Sequence, residues 1–308
     1  MKRFLTHIVL FLILFGISSY LILSQADGHT DAFYTKFTTK KQNALIIGSS
    51  RAAQGIQPKV INNLISNLSI YNYAFSRVHT PYGKPYLSSI QKKLDSNTSN
   101  GIFLVEVNPW SICKQKGEVL DLTYFKEQDS FLGEVENPNS NPNLTYLLNY
   151  YNGRYVEILT KKGKNHHGET LFVHNDGWFE VKLEDSPERT ISRIKSTVKS
   201  YKNIRNEYEG KSNIRMDFLM KTIQFLQEHG SVYLVRLPIN EEMLTIENGL
   251  LPRFDSEIMD ISRMLNAPYI NLMPSRNNYK YTDGHHLNYE SGQEVSKIIA
   301  ELIKKEKL

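Results

Sequence analysis

Two short stretches of this chain bring together side chains that can carry out acyl transfer. An apolar run, Ala44-Leu45-Ile46-Ile47, ends in Gly48-Ser49-Ser50-Arg51, and far downstream the chain reads Thr282-Asp283-Gly284-His285-His286-Leu287-Asn288. A serine hydroxyl is a weak nucleophile until a base takes its proton, and imidazole is the side chain whose pKa suits that task near neutrality. An aspartate three residues before a histidine can accept the imidazole Nδ1–H within one turn of loop, leaving Nε2 for the serine. Asp283 and His286 have that spacing. Ser49 and His285 compete for the same roles, and the spacing favours Ser50 and His286. Each motif also has a plainer reading, Gly-Ser-Ser as a helix-capping turn and Asp-Gly as a turn dipeptide.

Acyl transfer also needs donors for the tetrahedral oxyanion. The backbone N–H of Ser50, the backbone N–H of Ala74 in Asn72-Tyr73-Ala74-Phe75-Ser76 and the side-chain amide of Asn108 in Val105-Glu106-Val107-Asn108-Pro109 are the candidates. Arg51 and Arg236 follow or end apolar runs and are candidates for holding an anionic substrate. His166, His167, His174 and Asp176 are metal-ligand types, but no helix or hairpin pattern frames them, so solvated loop histidines are expected and no metal or other cofactor is implied.

These residues need a frame that gathers them. Asn43–Gly48, Ser69–Phe75, Gly101–Val107, Ser231–Leu237 and Pro268–Met273 read as strands. Helical spacing fills Pro58–Leu68, Pro81–Leu94, Met216–Glu228, Asp255–Leu265 and about 290–305. Such alternation predicts an α/β fold, a three-layer α/β/α sandwich on a five-stranded parallel sheet. Ligands of such sheets bind beyond the carboxyl ends of the strands, where Ser50, Ala74, Asn108 and, after the fifth strand, Asp283 and His286 would meet. About 120 residues between the third and fourth strands break the rhythm. Their first part, about 110–185, is predicted to be an insertion forming a lid or groove wall beside Ser50. Within it 177–183 suggests a hairpin arm, while Tyr146, Tyr150, Tyr151, Tyr155 and Trp178 suit either packing or stacking on sugars. A polar surface helix is expected over Pro187–Asn206.

The N-terminus carries a different signal. Lys2 and Arg3 precede an apolar run of twenty residues, Phe4–Leu23, which as a helix rises roughly 30 Å, the thickness of a hydrocarbon core. The positive-inside rule then places everything after residue 25 outside the cytoplasm. Ser24-Gln25-Ala26 also offers small residues for a signal peptidase, so secretion after cleavage near Ala26 stands beside a retained single-pass anchor, which the length favours. Residues 26–42, polar and aperiodic, are expected to be a linker between the segment 1–25 and a catalytic domain over 43–308. Charge is spread along the 308 residues, 37 basic and 32 acidic, with no basic block, which argues against nucleic acid as a partner. The single cysteine, Cys113, excludes an internal disulfide and a multi-cysteine zinc site, and a free thiol in an exported protein is expected to be buried.

Asn43–Gly55 resembles the opening block of the SGNH (GDSL-like) hydrolase superfamily, with Ser49 in place of the block's aspartate and Ser50 at the nucleophile position. Thr282–Asn288 resembles the closing Asp-x-x-His block. Asn108 is similar to the third-block asparagine, although Glu106 stands where glycine is usual, and Ala74 stands at the second-block glycine. Together with the N-terminal apolar segment, the chain looks most like the membrane-anchored branch that includes teichoic-acid D-alanylation and alginate O-acetylation proteins. The resemblance implies a flavodoxin-like fold, a Ser50–His286–Asp283 triad and an oxyanion hole at Ser50, Ala74 and Asn108. It further implies esterase or acyltransferase activity on an acylated glycan or polysaccharide, beside a membrane-bound O-acyltransferase. A non-catalytic glycan-binding or scaffold module of the same shape is the alternative.

Overall fold

A computed structural model of the protein describes residues 1–119, 122–160, 170–183 and 186–306. Five strands, β1 (Leu45–Ile47), β2 (Tyr71–Asn72), β3 (Gly101–Glu106), β4 (Gly230–Arg236) and β5 (Tyr269–Asn271), form one sheet in the order β2-β1-β3-β4-β5. Every neighbouring pair is parallel. All six residues of β3 are buried, as a strand covered on both faces requires. Alternate residues feed two apolar layers. Leu45, Ile47, Phe103 and Val105 face the helices Lys84–Lys93, Asn213–Gln227 and Phe254–Leu265. Ile46, Ile102, Leu104 and Val235 face Ser50–Gly55, Pro58–Leu64 and Tyr289–Glu306. The last helix presents Val295, Ile299 and Ile303 at i, i+4 spacing, the stripe a helix lays on a sheet.

The predicted elements recur with shorter strands. The expected strand 69–75 keeps its pairing with β1 beyond β2, since Tyr73 N–H donates to Ile46 O at 2.7 Å and Phe75 N–H to Gly48 O at 3.1 Å. The arm predicted over 177–183 is one side of an antiparallel hairpin, Thr170–Val173 with Phe179–Lys182, and the polar helix spans Pro187–Arg205. Cys113 is buried, and burial pushes its thiol up to about 12.

The expected linker is not one. Tyr34 and Phe37 are fully buried in the first apolar layer. Asp31 Oδ1 accepts the N–H groups of Phe33 and Tyr34 and, at 2.8 Å, the Tyr146 hydroxyl. Lys36 Nζ donates to the carbonyls of Asn72 and Ala74, each at 2.8 Å. Gly28 lies against the hairpin so closely that a Cβ there would come within 1.9 Å of Val173 O. The folded domain thus begins directly after the apolar N-terminal helix, Lys2–Leu23.

Lys93 is buried too, with Nζ donating to Thr39 Oγ1 at 2.8 Å and Pro138 O at 3.1 Å. Burial lowers its amine to about 7, whereas an unfolded lysine holds its proton to about 10.4. Between those values the folded state binds fewer protons, so this lysine's contribution to stability rises with pH across that window, and its penalty is fully present below pH 7. Denaturant midpoints at pH 6 and pH 9 should show a larger alkaline gain in the native protein than in Lys93→Met. Equal gains in the two proteins would refute the assignment.

Candidate active site

β1 runs into Gly48, whose φ of +143° is a backbone that L side chains rarely adopt. A Cβ there would sit 2.5 Å from Glu106 Cβ, so only glycine lets the chain turn this tightly beside β3. Ser49 then caps the helix Ser50–Gly55, its Oγ accepting from Arg51 N–H at 3.4 Å. Ser50 becomes the first helical residue, half-buried, where strand order reverses between β1 and β3.

The histidine loop is pinned on two sides. Thr282 N–H donates to His286 O at 2.9 Å, and Asn240 N–H, just beyond β4, donates to Gly284 O at 2.9 Å. Inside the turn, Asp283 Oδ1 accepts the backbone N–H groups of His285 at 3.2 Å and His286 at 3.0 Å. Its Oδ2 lies 2.8 Å from His286 Nδ1, and His286 Nε2 lies 2.8 Å from Ser50 Oγ. Burial alone would raise the Asp283 carboxyl, but the imidazole of His286 beside it, by charge and hydrogen bond, holds it well below the ordinary carboxylate range. An ionised Asp283 keeps the Nδ1–H tautomer of His286 and leaves Nε2 as the acceptor for the serine proton. The side chains of Asp283 and His286 remain 22% and 12% exposed. Ser50 and His286 are 236 residues apart in sequence.

Between the competing pairs, Ser50 and His286 meet, and Ser49 and His285 do not join that line. Ser49 Oγ faces Arg51 N–H and, at 3.3 Å, Asn108 Nδ2. Ser49→Ala should therefore cost about 1 kcal/mol of stability, as loss of a helix cap does, with activity within a few-fold of native. A urea titration and an ester assay on one preparation check both halves. His285 is buried behind His286, ring centroids 3.8 Å apart, with Nε2 3.2 Å from the Tyr201 hydroxyl and Nδ1 3.5 Å from Asp283 Oδ1. Burial, then the neighbouring His286, pushes its pKa well below the ordinary value, which favours the neutral imidazole beside Asp283. Asp283, His285 and His286 also offer ligand-type atoms within 4.8 Å of one another. Both ring nitrogens of His286 already face protein partners, Nδ1 the Asp283 carboxylate and Nε2 the Ser50 hydroxyl.

The expected oxyanion donors are differently engaged. The Ala74 N–H donates to Asn72 Oδ1 at 3.1 Å, because the Asn72 side chain folds back on its own strand. Asn72 Nδ2 meanwhile donates to Ala52 O at 2.8 Å and Ile56 O at 3.0 Å, tying the helix of Ser50 to β2. Asn108 Nδ2 donates to Glu106 Oε1 at 2.8 Å and more weakly to Ser49 Oγ. Glu106 also takes the Ser49 N–H on Oε2 at 2.8 Å. The Ser50 N–H belongs to the first helical turn, whose N–H groups have no partner within the helix.

Arg51 and Arg236 are corrected outright. They are 4% and 2% exposed, and both pair with Glu247, which is itself fully buried: Arg51 Nη2 at 2.6 Å and Arg236 Nη2 at 3.4 Å. Arg236 pairs further with Asp255, and Trp110 Nε1 donates to Glu247 Oε1 at 2.8 Å. A buried guanidinium needs such partners, so these two are spent on the fold rather than offered to substrate. The half-buried Arg77, three residues past Ala74, is the cation that sequence reasoning missed. It donates to the Tyr208 hydroxyl at 2.7 Å and lies over the Tyr201 ring.

His166 and His167 lie outside the described residues. His174 and Asp176 do have a hairpin frame, yet His174 Nε2 meets Glu180 Oε2 at 2.8 Å and Asp176 Oδ1 accepts the Trp178 N–H. The aromatics set aside for sugars are largely structural. Tyr146 packs with Tyr34, Phe37 and Phe131, and Trp178 Nε1 donates to Gln54 O at 2.8 Å, bracing the helix of Ser50. The long β3–β4 connection reaches the histidine loop through its polar helix, where Tyr201 meets His285 and Arg193 Nε donates to Thr282 O at 2.9 Å. That helix, the hairpin strand Phe179–Lys182 and Tyr281 also wall a cleft of about 260 Å³ that adjoins Thr282. Set against models of known protein families and against curated proteins, the chain matches none, so its functional reading rests on the arrangement of Ser50, His286 and Asp283.

Proposed function

We propose that this protein is a serine esterase or O-acyltransferase of the SGNH type, held at the outer face of a membrane by its N-terminal helix. One observation carries the reading: Ser50 Oγ, His286 and Asp283 stand in a continuous line of 2.8 Å contacts at the carboxyl edge of a parallel sheet. In the reaction His286 Nε2 takes the Ser50 proton as Oγ bonds to the acyl carbon. The ester C–O bond then breaks, and His286 returns the proton to the leaving alcohol. A second hydroxyl, from water or an acceptor, attacks the acyl-serine, loses its proton to His286 and restores Ser50. Hydrolysis and transfer share the first half of this cycle. The Ser50 N–H and the Asn108 amide are the oxyanion donors, Asn108 exchanging its 3.3 Å contact with Ser49 for the shorter one to substrate. An acetyl ester of an envelope glycan or polysaccharide is the substrate class, and a membrane-bound O-acyltransferase is the partner that would supply the acyl group.

The capture of Ala74 N–H by Asn72 and of the Asn108 amide by Glu106 favours a second reading, a non-catalytic glycan-binding or scaffold module. A fluorophosphonate probe separates the two. Stoichiometric labelling lost in Ser50→Ala supports the enzyme, and a folded protein that neither labels nor turns over an activated acetyl ester is the scaffold.

A further inference from the structure

Five large apolar side chains stand in the open on two short helices, one of which packs on the N-terminal helix. Leu144–Asn149 turns out Leu144 and Leu148, 49% and 69% exposed, four residues apart on one side. Tyr155–Thr160 turns out Tyr155, Val156 and Leu159, all at least 49% exposed. The Tyr155 hydroxyl donates to Leu147 O at 2.7 Å, which ties the two helices together. Large apolar side chains exposed on two helices so tied make a surface suited to being covered.

Its position says what covers it. The helix Tyr155–Thr160 packs directly on the apolar helix Lys2–Leu23. Ile22, Leu23 and Ala26, at the end of that helix, pack on the domain's own core. The clamp of Gly28 against Val173 and the burial of Tyr34 and Phe37 leave no slack chain between the two. Wherever Lys2–Leu23 inserts, the exposed face is carried to the same surface, with no separate encounter to arrange.

We propose that this face lies in the interfacial layer of the bilayer that Lys2–Leu23 crosses. Leu148, Val156 and Leu159 reach the acyl boundary there, and Tyr155 sits at headgroup level, where amphipathic rings collect. The occupant is lipid. The proposal rests on residues 4–23 being a retained span, and it does not depend on the esterase reading.

The test uses the full chain in vesicles of phosphatidylethanolamine and phosphatidylglycerol. Leu148→Cys, Val156→Cys and Leu159→Cys each carry a bimane label, and Met264→Cys, 70% exposed on the helix beside β5 at the other edge of the sheet, is the control. Cys113, 2% exposed, stays unlabelled. Bromine on the lipid acyl chains should remove most of the fluorescence at 148, 156 and 159 and little at 264, while aqueous iodide does the reverse. Labels quenched by iodide alone, on protein that survives a carbonate wash with the vesicles, would overturn the lipid-facing surface. Labels shielded from both quenchers would overturn it in favour of a second copy. Protein released by the wash would overturn the span, and the proposal with it.

Discussion

Ser50→Ala is expected to lower kcat/KM for a small activated acetyl ester by about 10⁴ to 10⁶, the loss seen when a triad nucleophile is removed. In the proposed reaction Ser50 Oγ bonds to the acyl carbon, and no other hydroxyl lies on His286 Nε2 among the described contacts. The fold should tolerate the change, because Ser50 is half-buried and the cap of its helix is the preceding Ser49. Urea midpoints should stay within about 0.5 kcal/mol of native. Triad members act as a unit, so Ser50→Ala with His286→Ala should be scarcely worse than either alone. Additive losses would show that the two residues do not share one step, and undiminished turnover by Ser50→Ala would remove the proposed nucleophile altogether.

Glu247→Ala should be the most damaging single change to stability, at about 3–5 kcal/mol, the usual consequence of breaking a buried ion pair from one side. Glu247 accepts from Arg51, Trp110 and Arg236 with no exposure of its own. Its removal leaves the Arg51 guanidinium buried without this partner and Arg236 with Asp255 alone. Arg51 directly follows the nucleophile, so activity should fall with stability. Glu247→Gln keeps an acceptor and loses only the charge, and it should fall between native and alanine in a urea titration. A deficit under about 1 kcal/mol for Glu247→Ala would mean that water reaches the pair and screens it.

Much of the frame was legible because a parallel strand buried on both faces has to be apolar throughout. Residues 102–105 and 232–235, the middles of β3 and β4, declare themselves in that way. The meeting of Ser50 with His286 was legible for a related reason, since strand ends on one edge of such a sheet converge whatever their separation in sequence. What stayed hidden was the pairing of charges. Nothing local to Arg51 announces a glutamate 196 residues away, so a buried arginine reads like an exposed one. The same blindness made 26–42 look like a linker: its lysines suggest solvent, yet Lys36 spends its ammonium on the carbonyls at the end of β2. The N–H of Ala74 is taken by Asn72, a local side-chain bond that spacing does not reveal. The glutamate at 106 was visible as an oddity, and only the structure shows that it fixes both Ser49 and Asn108.

The span of 236 residues between Ser50 and His286 has a consequence for timing. Ser50 lies in the first sixth of the chain, and the histidine loop precedes only the closing helix Tyr289–Glu306. That helix must dock on Ser50–Gly55 and Pro58–Leu64 before the triad is complete, a contact of the longest range and therefore among the slowest to form. On the function proposed above, a chain made from its N-terminus carries an inert serine until residues 283–306 are in place. On that function, a copy that lacks residues 283–306 is expected to be chemically silent towards esters.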